Sequence, residues 1–171
     1  NVTIKMRQDV YGINLNPKAV ELEEPAFYPF KITGIPIKIG DNYKEVWKPN
    51  HSDLGSFAEL SGDFNSIHND LEFSLSKGFY GLLVHGNLTC AKLSGIIGMS
   101  FPGEGTLIIE QNLAFPNPIY LDENINFELK VDSVNNDLKI IVLKVKATKN
   151  SNKNTSLKLV VLRGKIICKI L

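Results

Sequence analysis

The chain has 171 residues and carries 19 basic and 18 acidic side chains, which gives a formal net charge of +1. A chain of this length forms one domain, and a hydrophobic content of 43% is typical of soluble globular proteins. The charge balance argues against a nucleic-acid-binding face, and no stretch approaches about eighteen consecutive apolar residues. We therefore expect neither nucleic acid nor a membrane as a partner.

Residues 1–40 differ in character from the rest of the chain. Four prolines fall between positions 17 and 36, and no hydrophobic period is sustained across them. We predict an irregular N-terminal extension that packs on the main domain, because the aromatic residues at 27–30 favour burial. The chain starts at Asn1, which we interpret either as an artificial boundary or as the start of a fragment of a longer polypeptide. The main domain is predicted at residues 41–171.

The first half of this domain is predicted to hold a short strand followed by three helices, at residues 43–48, 54–60, 71–77 and 87–99. Ser52 or Asp53 offers an N-cap for the first helix, and Gly78 ends the second. The third helix is apolar around most of its circumference. We expect it to be largely buried, with Ala91 and Met99 on its apolar face.

The second half is predicted to consist of strands, at residues 106–115, 125–134, 139–149 and 157–170. Apolar residues alternate in the middle strands, as in Ile125, Phe127, Leu129 and Val131. Turn-forming residues separate these strands, so we predict a four-stranded antiparallel meander. A long helix followed by such a meander is an α+β architecture.

Two cysteines, Cys90 and Cys168, lie in apolar stretches of the sequence. Such surroundings favour small buried side chains over a secreted disulfide scaffold, although a single bridge between the two stays open. We predict a cytoplasmic protein.

Asp63 and His68 are the first candidates for chemistry. They lie five positions apart in a turn-rich stretch, so a carboxylate and an imidazole can converge on one water molecule. Each group can accept a proton in one direction of a reaction and return it in the other. The spacing alone leaves open a structural role, in which Asp63 caps a turn and His68 packs against the sheet.

Gly86 is the second candidate, because it lies at the expected start of the long helix. The first N–H groups of a helix lack partners within the helix, and the helix dipole favours negative charge there. A glycine also permits close approach of a ligand. An ordinary helix-entry glycine is the alternative.

Around these residues the sequence resembles the MaoC-like, (R)-specific enoyl-thioester hydratases. The resembling stretches are FAELSGDFNSIH (57–68), FYG (79–81), VHGNLT (84–89), FPGEGT (101–106) and QNLAFPNP (111–118). In that family the equivalents of Asp63 and His68 form the catalytic pair, and the equivalent of Asn65 supports them by hydrogen bonding. The resemblance covers about residues 40–170. It implies a single hot dog fold, in which a curved antiparallel sheet wraps around a long central helix.

One position departs from the family pattern. Ser66 stands where these hydratases usually have proline, between the asparagine and the Ile-His pair. Proline would fix φ and stiffen the loop that sets the direction of His68. The departure leaves the chemical groups in place and puts efficiency and substrate range in question.

The sequence does not support a metal or a cofactor. Asp63, His68 and His85 could be imagined as ligands, but the chain lacks a metal-ligand motif around them. The glycines at 103 and 105 lack the preceding strand and following helix of a dinucleotide loop. The substrate thioester would itself act as the electron sink.

The resemblance implies an enzyme that reversibly hydrates trans-2-enoyl thioesters of coenzyme A or acyl carrier protein to (R)-3-hydroxyacyl thioesters. The catalytic residues would be Asp63, His68, Asn65 and Gly86. We assign Ser61, Ile67, His85 and Phe79 to substrate binding, with His85 expected to be structural rather than catalytic. Two alternatives remain, a hot dog thioester hydrolase and a non-catalytic acyl-binding domain of a larger protein. We expect a homodimer with the two sheets joined edge to edge.

Overall fold

Along the described residues, one strand is followed by four helices and then by four strands. The computed structural model describes residues 37–151 and 157–171. In chain order the elements are β1 (Asn42–Trp47), α1 (His51–Ser61), α2 (Ser66–Asn69), α3 (Leu71–Ser76), α4 (Gly86–Met99), β2 (Thr106–Ala114), β3 (Ile125–Asn135), β4 (Ile140–Asn150) and β5 (Lys158–Ile170). The predicted strand and helix positions are confirmed, with ends that shift by no more than three residues, and the stretch predicted as turn-rich also contains the short helix α2.

The strands form one antiparallel sheet in the order β1-β3-β4-β5-β2. The prediction of a four-stranded meander is wrong in one respect, because β2 pairs with β5 rather than with β3. The connection at residues 115–124 is too long for a tight hairpin. It passes the segment before α4, where Leu83 forms a bridge with Tyr120, and so delivers the chain to the far side of the sheet.

The core lies between α4 and the inner face of the sheet. Leu93, Ile96 and Ile97 of α4 are almost completely buried in one cluster with the inward-facing strand residues. The predicted alternation is confirmed, since Phe127 and Leu129 are buried while Glu128 between them is exposed. Each such side chain contributes roughly 1.5–3 kcal/mol on burial. A sheet packed around one long helix is the hot dog architecture.

The expected burial of α4 is only half right. Its buried residues are Thr89, Leu93, Ile96 and Ile97, and Met99 is 49% exposed. Ala91 is exposed as well. The sheet covers one side of the helix, and the apolar arc predicted from the sequence extends beyond that side.

The cap of α1 is neither Ser52 nor Asp53. Asn50 is the N-cap, and its side chain accepts a hydrogen bond from the Asp53 N–H at 3.1 Å. The Asp53 carboxylate accepts one from the Asn50 N–H at 2.9 Å in return. This reciprocal capping box places Asp53 three residues inside the helix.

Most of the predicted extension lies outside the described residues, which begin at Ile37. Ile37 packs partly against the core, and the Gly40 N–H donates to the Val131 carbonyl at 3.0 Å. The division at residue 40 therefore stays a prediction. Within the described parts of the chain, no helix has the length and apolar character to cross a membrane.

The two cysteines are free thiols rather than a bridge. Cys168 is buried in the core, and burial raises the pKa of its thiol to about 11. Cys90 is partly buried, and burial also raises the pKa of this thiol. Neither thiol is thus poised as a nucleophile.

Candidate active site

The loop that carries Asp63 starts at a left-handed glycine. Gly62 ends α1 at φ 75°, and its N–H donates to the Ala58 carbonyl at 2.8 Å. A β-carbon at Gly62 would meet no atom within 4 Å, so the positive φ alone favours glycine here. The Ser61 hydroxyl donates to the Phe57 carbonyl and accepts from the Asp63 N–H at 3.2 Å. These bonds turn the chain out of α1 and direct Asp63 toward the following turn.

Asn65 connects Asp63 to the short helix that carries His68. Its side-chain oxygen caps α2 by accepting from the Ile67 N–H at 3.3 Å. Its own main-chain N–H donates to the Asp63 Oδ1 at 3.3 Å. Asn65 therefore orients both members of the pair, one through the backbone and the other through the helix cap.

Ser66 occupies the first position of α2. Proline is favoured at this position, where its missing N–H would lack a helical partner in any case. Asn65 has φ −55° and ψ 131°, which is the conformation that a residue before proline prefers. The backbone thus keeps the shape that a proline would impose, although serine replaces it.

His68 is buried, with 9% of its surface exposed. Its Nδ1 lies 2.7 Å from the Leu83 carbonyl oxygen, which can only accept, so Nδ1 carries the hydrogen and Nε2 of the neutral ring keeps a lone pair. Burial lowers the pKa of His68, and nearby His85 lowers it further. The bond to Leu83 and the charge of Asp63 oppose this shift. A neutral imidazole near pH 7 is suited to accept a proton.

The Asp63 carboxylate lies near the His68 ring. One potential ligand atom each of Asp63, His68 and His85 lies within 4.8 Å of the others. A gap of this size between a carboxylate oxygen and an imidazole nitrogen can be bridged by one water. Asp63 is exposed and His68 is buried, so the pair lies where solvent meets the protein interior.

A pocket of about 300 Å³ adjoins the pair, and its lining includes His68, Leu83, Gly86, Thr89, Phe115 and Asn117. Gly86 is the first residue of α4, one position earlier than predicted. A β-carbon on Gly86 would lie 3.8 Å from the Phe115 ring, an ordinary contact distance. Glycine is therefore not required by the backbone here. Its absent side chain leaves the space between the helix start and Phe115 open to a ligand.

Three of the predicted site residues fall together, because His68 and Gly86 line the pocket and Asp63 lies beside His68. Ile67 is half-buried on α2, and its carbonyl accepts from the Leu83 N–H at 3.1 Å.

The other residues assigned to substrate binding do not line this pocket. These include Ser61 and Phe79, and Ser61 bonds to the backbone of its own loop. Their assignment to substrate binding stays a prediction. His85 is almost fully buried and stacks on His68, with ring centroids 3.7 Å apart and planes inclined by 25°.

Four further residues matter that the sequence analysis did not assign. Leu83 fixes the tautomer of His68, and Phe115, Asn117 and Val161 line the pocket. Phe115 and Asn117 lie inside a stretch that carries the family resemblance, which was the one available signal. Apolar side chains and a main-chain carbonyl have no chemical signature in a sequence.

The cluster of Asp63, His68 and His85 also has the composition of a metal site. However, one nitrogen of each imidazole faces a main-chain carbonyl, Leu83 for His68 and Asp63 for His85. The two rings also stack on each other, with one nitrogen of each left outside these contacts to the main chain.

The family described as "MaoC like domain" matches residues 27–154 of this chain. The (R)-specific enoyl-CoA hydratase of Aeromonas caviae is 32% identical over 107 residues, which cover 63% of this chain and 80% of the relative. A mitochondrial 3-hydroxyacyl-[acyl-carrier-protein] dehydratase of Arabidopsis thaliana is 35% identical over 89 residues, which cover 52% of each chain.

Solved structures of similar shape include an (R)-hydratase from A. caviae involved in PHA biosynthesis. It superposes with a TM-score of 0.71 at 24% identity, over 79% of this chain and 98% of that one. The unliganded R-hydratase PhaJ1 from Pseudomonas aeruginosa superposes with a TM-score of 0.70 at 24% identity, over 78% and 82% of the two chains. These likenesses support the fold described above.

Proposed function

Because the chain belongs to the MaoC-like domain family, we propose that it is a hydro-lyase acting on acyl thioesters. The reaction is the reversible addition of water across a trans-2-enoyl thioester to give an (R)-3-hydroxyacyl thioester. The observation that carries the proposal is the proximity of Asp63 and His68, within 4.8 Å of each other, beside a pocket that His68 and Gly86 line.

In the hydration direction, one water lies between the Asp63 carboxylate and the His68 Nε2. Its oxygen bonds to the β-carbon, one hydrogen remains in the new hydroxyl, and the other is passed as a proton through the pair to the α-carbon. Dehydration reverses each transfer. Atoms balance without a cofactor, because the thioester carbonyl holds the electron pair while the α-carbon awaits its proton.

The Gly86 N–H supplies the stabilising contact for that carbonyl. At the first position of α4 it has no partner within the helix, and the helix dipole favours negative charge there. A thioester oxygen directed at this N–H would be held more tightly as it gains enolate character. Asn65 takes the supporting role, as the residue that orients both Asp63 and α2.

The thioester carrier, the assembly and the location belong to the same proposal. Hydratase and dehydratase relatives include proteins named for coenzyme A and for acyl carrier protein substrates, so either carrier fits. We propose a homodimer because β2 ends the sheet and exposes Leu107 and Ile109 at 51% and 53%. Sedimentation at micromolar concentration should show twice the mass of one chain. We place the protein in the cytoplasm.

Incubation with crotonyl-CoA tests the activity. We expect loss of the absorbance of the conjugated double bond, no release of free thiol, and a product of R configuration on chiral analysis. Thiol release would assign the protein to the thioester hydrolases. Neither change, with a folded protein, would favour a non-catalytic acyl-binding domain and contradict the proposal.

A further inference from the structure

His85 precedes α4, yet its side chain makes no capping hydrogen bond to that helix. It points inward instead and is only 2% exposed. It stacks on the His68 ring, with centroids 3.7 Å apart, and the centroid of the Phe57 ring of α1 lies 5.0 Å from its own. A buried side chain in contact with two other rings has little freedom to rotate.

The same imidazole also contacts the other member of the pair. Its Nε2 lies 3.1 Å from the main-chain carbonyl oxygen of Asp63. Because a carbonyl oxygen only accepts, Nε2 carries the hydrogen of this bond. His85 therefore touches Asp63 through a hydrogen bond and His68 through a stack.

We propose that His85 is a positioning residue, which ties the Asp63 loop and the His68 ring to the start of α4. The next residue along the chain is Gly86, whose N–H is assigned to the thioester oxygen. One dipeptide thus fixes the distances among all three participants. The inference rests on the proposed function for its consequence in catalysis, while the contacts themselves are independent of it.

Positioning of this kind has a measurable consequence, because a displacement of about 1 Å can reduce a rate about 100-fold. His85 also acts on the electrostatics of its neighbour. The titratable groups of the described residues that face His68 are His85, before α4, and Asp63, in the loop before α2. His85 lowers the pKa of His68 and Asp63 raises it, alongside the larger lowering by burial.

The first test uses the unaltered protein without substrate. Nitrogen-15 NMR of the imidazoles at neutral pH should show His85 with its hydrogen on Nε2 and His68 with its hydrogen on Nδ1. A His85 hydrogen on Nδ1 would overturn the proposal, because the bond to Asp63 could then not form. This readout requires no activity, so a failure of the proposed function would not obscure it.

Two variants then separate the two contacts. His85→Gln keeps an amide donor near the position of Nε2 but removes the stacked ring. His85→Phe keeps a ring against His68 but removes the donor to Asp63. The matched control is His51→Gln, which changes an exposed histidine at the start of α1.

For each His85 variant we expect kcat to fall between about 10- and 100-fold, with KM changed by less than about threefold. The control should leave both constants unchanged. Loss of the His85 ring nitrogens should also raise the pKa of His68, so the acidic limb of the kcat/KM profile should move to higher pH. The NMR titration of His68 should move in the same direction without substrate.

Two outcomes would overturn the inference. If both variants keep kcat within twofold and leave the His68 titration unchanged, His85 does not position the pair. If KM rises while kcat is unchanged, His85 binds the substrate equally in the ground state and the transition state. That result would match the substrate-binding role assigned from the sequence instead of a positioning role. If either variant fails to fold, the His85 tautomer measured in the unaltered protein decides whether the proposed contact with Asp63 exists.

Discussion

Different interactions stabilise two regions of the molecule. One region is the three neighbouring strands β3, β4 and β5, and the other is the segment at residues 61–86. In the strands, side chains such as Phe127, Leu143 and Leu162 are fully buried and supply apolar area. In the segment, Asp63, Asn65 and Ser66 are all exposed. Its shape depends on single hydrogen bonds, such as those from Asn65 to Asp63 and from His68 to Leu83.

This difference separates stability from chemistry within one small domain. Burial of apolar area is non-directional, so the strands tolerate changes of shape at a cost in free energy of unfolding. Hydrogen bonds depend on angle, so those in the segment set the orientation of the Asp63 and His68 side chains while adding little to stability. A change in the strands should therefore alter folding, and a change in the segment should alter turnover.

The largest effect expected is on turnover, from single changes in the pair. Asp63→Asn keeps the oxygen that accepts from the Asn65 N–H, and His68→Asn keeps a donor that can reach Leu83. Each should lower kcat roughly 10²–10⁴-fold, because one proton acceptor is lost. Thermal unfolding followed by circular dichroism should show little change beside this. Near-normal hydration of crotonyl-CoA by either variant would show that the segment at residues 61–86 does not direct the chemistry.

The complementary change is Leu143→Ala in β4, where the side chain is completely buried. We expect the free energy of unfolding to fall by about 2–5 kcal/mol, since a cavity replaces the isobutyl group. Denaturant titration measures this loss. The kcat per folded molecule should stay within a few-fold of the original value. A loss of turnover in fully folded protein would show that the strands also direct the chemistry.

The pattern of apolar residues was enough to predict most of the strands. The alternation Ile125, Phe127, Leu129 and Val131 leaves one face for the core, and the structure confirms it. The order of the strands was not predictable in the same way. The pairing of β2 with β5 depends on the path of residues 115–124 across the molecule, which no local period encodes.

The chemistry-bearing residues of the site were also visible in the sequence, whereas of the groups that hold them in place only Asn65 was foreseen, through the family resemblance. Asp63, His68 and Gly86 carry groups whose chemistry can be read from residue type. The acceptor for His68 is the main chain of Leu83, and any residue at that position would offer the same carbonyl. The stack of His85 on His68 likewise brings together the residue before α4 and a residue of α2, at a distance that sequence spacing does not give.

An intermediate effect is expected from pH. Burial is the main reason that the pKa of His68 lies below its ordinary value of 6.5. His68 therefore binds a proton more readily in the unfolded chain than in the folded one. Its contribution to stability is complete above about pH 6.5 and is lost as the pH falls toward the folded-state pKa. His68→Asn should flatten the pH dependence of unfolding in this window. An unchanged slope would contradict the burial of a neutral ring.

The smallest effect should come from Ser66→Pro. Asn65 already has the backbone conformation that proline requires of the preceding residue, and Ser66 is at the first position of α2. The substitution should stabilise the fold by about 0.4–1 kcal/mol, because the unfolded chain loses freedom. Chemical denaturation at fixed pH measures the change. Destabilisation would mean that the turn carrying His68 has a different shape from the one described.

The most direct measurement of the central claim is the double variant Asp63→Asn with His68→Asn, compared with each single variant by kcat on crotonyl-CoA. If both groups act on one water, removal of either stops the proton transfer, and the double variant should be little slower than the slower single variant. If the two losses multiply instead, Asp63 and His68 act independently, and the account of a shared water is wrong.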